Sequence, residues 1–343
     1  MKKFVNATVS SKPRWFMNSW FDTTLLIGFP TAFLTVPLIY YLSRNIHQLS
    51  LYVYIFTNFP HVLSGLLVAY LVQKEYKKQP VIFLVIPLIL FIGTLILYAR
   101  NSFHFDFVRL MWGKLHICLQ YYFLLAILKI RYNDSLKIDK IIDTLVIIVV
   151  SILIPFAAFY RLQIESVNNS LYGITFYAES FGYIRFLVAF VVLLFILRQV
   201  YLLIYEKEVK LLKNLFILMF SLICYYPLGP FKNNLLSSQA ETQFHNVQYI
   251  AWVWLFCRIK YKNRILPEFR FISYLAKYNN VFLYFIILIC ISIIQNFFMT
   301  LFVVRFGHNR QITCAFALIH FYIDWLIWRS AVVRYRWIYN EED

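Results

Sequence analysis

Along this chain, long apolar runs alternate with short polar connections. Runs such as 81–98, 141–159 and 281–304 are each close to the ~20 residues needed to cross a bilayer. Apolar residues occupy every face of them, whereas a helix of a soluble domain carries an apolar stripe on one face. The pattern predicts an all-α integral membrane protein, a bundle of about ten transmembrane helices. They fall at about 22–42, 51–71, 81–98, 107–128, 141–159, 184–203, 211–227, 243–257, 281–302 and 312–328. Residues 1–20 then form an N-terminal segment, 21–330 one polytopic domain and 331–343 a tail.

Basic residues test that map independently, because cytoplasmic loops are enriched in Lys and Arg. They alternate as it requires. Six connections on one side hold 23 of them, and the other side has only Arg44, Arg100, Arg161, Lys232, Arg305 and Arg310. Both termini are therefore expected in the cytoplasm, as in a multi-pass protein of a bacterial inner membrane.

Composition agrees with this picture. The chain is 61% hydrophobic and 14% charged, against about 25% charged in a soluble domain. A net charge of +17 would suit nucleic acid only if it formed a patch on a soluble face. Here the cations sit between apolar runs, so the expected partner is the bilayer and its anionic headgroups, with no nucleic acid. The five cysteines stand singly, without zinc-like spacing. No removable signal peptide is recognised in 1–20. Asn168 opens a glycosylation sequon in an external loop. Trp15, Trp20, Trp325, Trp328 and Trp337 are expected as interface anchors.

Polar side chains inside predicted spans are costly unless they are paired, so they point to function. Four histidines qualify: His61, His116, His245 and His320. All four fall on even-numbered segments of one orientation. His61, His116 and His320 follow their helix starts by similar lengths, about 12–15 Å. His245 sits nearer the outer face unless its helix begins earlier, around Leu235. Each histidine has a hydrogen-bonding residue one turn away, in the pairs Asn58/His61, His116/Gln120, His245/Gln248 and His320/Asp324. A ligating imidazole needs its second nitrogen oriented by such a group. A lone histidine in a membrane helix more often bridges helices by a hydrogen bond; four at one depth point to a shared metal or haem site. Pro60 beside His61 is expected to free a backbone carbonyl. Asp22, Arg109, Lys114, Glu179, Arg185 and Arg198 are weaker polar candidates, as is His104/Asp106 in the loop before the fourth segment. No GxSxG, P-loop, HExxH or GxGxxG motif is present.

The motifs Trp20-Phe-Asp22, Pro60-His61, Trp112 with His116 and Gln120, Phe244-His-Asn-Val-Gln-Tyr249 and His320-Phe-Tyr-Ile-Asp324-Trp325 carry a resemblance. In them the chain resembles a family of bacterial polytopic membrane proteins with intramembrane histidine motifs. More distantly it is similar to the Brp/Blh carotene dioxygenases, although the glycine-rich histidine motifs of those enzymes are absent. The resemblance implies iron held by His61, His116, His245 and His320, with Asn58, Gln120, Gln248 and Asp324 behind them or as alternative ligands. The expected activity is oxidation or oxidative cleavage of a lipid or isoprenoid. Zinc or haem in place of iron, a transporter or metal-uptake protein using the same residues, and a transferase remain as alternatives.

Overall fold

The computed structural model describes residues 16–28, 46–72, 79–100, 102–132, 136–153, 179–206, 210–225, 234–261, 270–306 and 314–328, with residues 41, 77, 265 and 312 singly. Among these there is no strand. Most of the first predicted span, the sequon, His308 and the C-terminal tail lie outside the described residues.

The chain opens with α1 (Ser19–Phe21), which continues through a wider turn, Asp22–Leu26. Asp22 is fully buried and accepts main-chain N–H bonds from Phe16 at 2.5 Å and Met17 at 3.3 Å. It pins the entering chain. Helix α2 begins at Ile46–Val53, widens over Tyr54–Asn58 and continues through Phe59–Leu66 to Leu67–Val72. Pro60 sits directly after the widened turn, which absorbs the hydrogen bond that proline cannot make. Then come α3 (Ile86–Arg100, entered through Val81–Val85), α4 (Ser102–Arg131), α5 (Lys137–Ile148, continuing to Leu153) and α6 (Glu179–Tyr201, continuing to Glu206). They are followed by α7 (Leu211–Tyr225), α8 (Asn234–Tyr261), α9 (Arg270–Lys277), α10 (Val281–Phe306) and α11 (Cys314–Trp328).

Among the described residues, five stretches are long and apolar enough to cross a membrane: Leu51–Tyr70, Val81–Arg100, Trp112–Ile130, Phe186–Tyr205 and Val281–Phe298. They divide by position. Only 22% of the apolar window is buried in α3, α6 and α10, against 50% in α4. On α3, Val81, Leu84, Val85, Leu88, Ile89 and Ile92 form an exposed stripe, which reads as surface for lipid. The core lies at α2, α4, α8 and α11. From Phe244 to Leu255, α8 is buried throughout.

Three differences from the predicted map have physical causes. Helix α8 begins at Asn234, well before the predicted 243, because its first turns are polar and carry no hydropathy signal. His104 and Asp106 lie within α4 and not in a loop. The short α9 falls in what reads as a basic connection. It buries Ser273, Leu275 and Ala276 and exposes Phe271 and Tyr274. Asn279, at φ 53°, then turns the chain into α10.

One end of the bundle is held by charge. Asp139 and Asp143, one turn apart on α5, are both buried. Asp139 pairs with Arg198 at 2.7 Å and Lys210 at 3.5 Å; Asp143 pairs with Lys129 at 2.9 Å and Lys213 at 3.0 Å. Two carboxylates thus tie α4, α5, α6 and the start of α7. Breaking a buried pair from one side costs about 3–5 kcal/mol. Asp143→Ala should therefore lower the unfolding temperature in detergent markedly, and adding Lys213→Met should recover much of the loss.

Candidate metal centre

The four histidines come from helices that run the same way, as their contacts show. On the N-terminal side of the histidine layer, Thr57 Oγ1 meets Gln243 Oε1 at 3.0 Å and Lys114 pairs with Glu241, so α2, α4 and α8 are parallel. On the C-terminal side Gly65, Tyr249 and Asp324 meet, each four residues past its histidine. That adds α11 to the parallel set.

The rings meet in one layer. Ring centroids are 4.4 Å apart for His61 and His320, 4.7 Å for His61 and His245, 5.1 Å for His116 and His245, and 5.2 Å for His116 and His320. All four side chains are buried. The early start of α8 puts His245 about three turns into its helix, which brings it level with the others.

Three imidazole Nε2 atoms face one carboxylate oxygen. Asp324 Oδ2 lies 3.3 Å from His320 Nε2, 3.6 Å from His116 Nε2 and 4.0 Å from His61 Nε2. His61 and His320 approach each other at 2.6 Å through Nε2. The ligand atoms of these four residues all lie within 4.8 Å of one another. Two nitrogens bound side by side to an ion at about 2.0–2.1 Å are about 3 Å apart, so the spacing is that of donors able to share one ion. Asp324 therefore stands among the converging donors; it does not orient an imidazole from behind. His245 packs its ring against them.

Supporting contacts hold the carboxylate. Tyr249 donates from its hydroxyl to Asp324 Oδ1 at 2.5 Å, leaving Oδ2 turned to the imidazoles. The Phe321 ring stacks on His116 at 4.6 Å. His116 Nε2 and Asp324 Oδ2 are buried without a hydrogen-bond partner among the described residues, as are Nδ1 of His61, His245 and His320. Lone pairs and a carboxylate left so in an apolar interior are costly. A cation among the converging atoms would satisfy His116 Nε2 and Asp324 Oδ2, so the cluster could hold a metal ion.

The predicted one-turn partners behave differently from expectation. Gln120 donates to the main-chain carbonyl of His245 at 3.3 Å, and Gln248 to that of Ile27 at 3.3 Å. Both therefore brace backbone and not imidazole. Asn58 is half-buried; the polar contact one turn before His61 is made by Thr57. Trp328, expected at an interface, is buried with its ring 5.6 Å from that of Tyr249.

Sequence reasoning missed Tyr249, Gly65 and Glu241 as parts of this site. Tyr249 and Glu241 each lie one helical turn from His245, so the i±4 spacing was their signal. Gly65 carried none. A Cβ there would stand 2.5 Å from the Tyr249 hydroxyl and 2.7 Å from Asp324 Oδ1.

No family model, curated protein or solved structure matches the chain.

Overpacking a closed core costs about 1–3 kcal/mol. Gly65→Ala should destabilise the protein by that amount in thermal unfolding, and Tyr249→Phe, which removes the clashing hydroxyl, should partly rescue it.

Proposed function

We propose that this protein is a membrane-embedded metalloenzyme, with iron held by His61, His116, His320 and Asp324 and with His245 beside it, that oxidises or oxidatively cleaves a lipid or isoprenoid. The observation that carries the reading is the convergence of three imidazole nitrogens on one carboxylate oxygen at 3.3–4.0 Å in a buried layer. Imidazole with carboxylate is the donor set of non-haem iron oxygenases, which keep positions open for dioxygen and substrate. Iron bound there would supply the chemistry with dioxygen. The chain's own residues fix the donors: Tyr249 holds Asp324, Phe321 holds His116, and Gly65 lets α2 approach both.

Other supports concern the substrate and the rival groups. Zinc fits the same donors, but an apolar substrate offers little to hydrolyse. Haem fits less well, since imidazoles on opposite faces of one haem iron need about 4 Å between their nitrogens and His61 and His320 stand at 2.6 Å.

Elemental analysis of the detergent-purified protein tests the reading. One iron per chain is expected in the wild type, lost in His116→Ala and His320→Ala and reduced in Asp324→Asn. A folded wild type without metal would overturn it, and an ion that washes out on dilution would favour the carrier alternative. Binding stabilises by mass action, about 2.7 kcal/mol at a free-metal concentration a hundredfold above Kd. Chelation should accordingly lower the unfolding temperature of the wild type and leave that of His116→Ala unchanged.

A further inference from the structure

The two sides of the histidine layer differ in chemistry. Beyond it toward the C-terminal ends, the interior is closed by Val68, Ala69, Leu124, Leu125, Trp254 and Ile327, all buried. Next to the layer on the N-terminal side, Thr57, Glu241 and Asn246 are buried polar residues. The first turns of α8 carry Asn234, Ser237, Ser238, Gln239, Glu241, Thr242 and Gln243, an unusual content for a helix that runs on into the core.

Several of these groups reach the histidine layer. Asn246 donates to Thr57 Oγ1 at 3.4 Å, and Thr57 donates to Gln243 at 3.0 Å. Lys114, two residues before His116, pairs with Glu241, which stands one turn before His245. Glu241 is buried, and its Oε1 has no hydrogen-bond partner among the described residues. One carboxylate oxygen is therefore held by lysine and the other is buried without a hydrogen-bond partner among the described residues, about 6 Å along α8 from His245. A divalent cation passing the layer of Thr57, Gln243 and Glu241 would meet that oxygen first. The Lys114 ammonium beside it opposes a second cation by charge repulsion, so an incoming cation takes both oxygens of Glu241 only by displacing the lysine.

We propose that the metal centre is loaded from the N-terminal side of the four helices through this polar entrance, with Glu241 as a transient docking ligand for a divalent cation and Lys114 as its gate. The inference rests on the metal reading above. It adds the route, the docking carboxylate and the gate.

The experiment is a loading measurement on metal-stripped protein in detergent. Fe(II) or, as a spectroscopic substitute, Co(II) is added, and both the rate of uptake and the final stoichiometry are followed. Glu241→Gln should load at least tenfold more slowly than wild type and reach the same stoichiometry. Lys114→Met should load faster. Trp252→Phe, on the apolar side, should load at the wild-type rate. The opposite signs matter, because a merely structural pair would slow both variants or lower both stoichiometries. Wild-type rates in Glu241→Gln and Lys114→Met would overturn the entrance and leave the metal centre standing. No uptake by folded wild type would overturn both.

Discussion

The structure depends on one constraint: a carboxylate and four imidazoles are gathered in an interior built mostly of apolar side chains. Each lone pair there has lost its water and must find a replacement. Tyr249 supplies it for one oxygen of Asp324. The other oxygen faces the three Nε2 atoms, which have only lone pairs or a single proton each to offer. Without a cation such a cluster carries an unmet electrostatic cost; with one, the same atoms become mutually compatible. The crowding of His61 against His320 follows from the same convergence.

Backbone placement makes the convergence feasible. Four parallel helices each deliver one histidine to a common level, and each of three delivers a residue one turn later to a second level, where Gly65, Tyr249 and Asp324 interlock. The absence of a side chain at Gly65 sets how near α2 comes to α8 and α11. At one end of the molecule, Asp139 and Asp143 tie four segments through paired cations, so the helices around α4 are held where their spacing matters. The buried polar residues Thr57, Glu241 and Asn246 before the layer and the apolar closure beyond it then give the site two chemically different sides.

Much of this was legible in the chain itself. Hydropathy marked the apolar helices because the need to satisfy every backbone polar group inside lipid leaves little choice but helix. The four histidines stood out because polar groups in apolar runs are rare, and their level could be inferred from a constant rise per residue. The same reasoning misplaced the start of α8, since seven polar residues there erased the apolar signal that defined a span. It also left α9 unrecognised inside a basic connection, where eight residues are too few to show a period.

Sequence alone determined the helical class, the alternation of charge and the identity of the four imidazoles, all of which follow from local composition and from the fixed geometry of a helix. Tertiary structure decided which partner each polar group takes. Asp324 joined the converging donors, Gln120 and Gln248 turned to backbone carbonyls, Lys114 found Glu241, and Trp328 left the interface for Tyr249. Those choices depend on how helices distant in the chain rotate and approach one another, and residue spacing along a single helix carries no information about that.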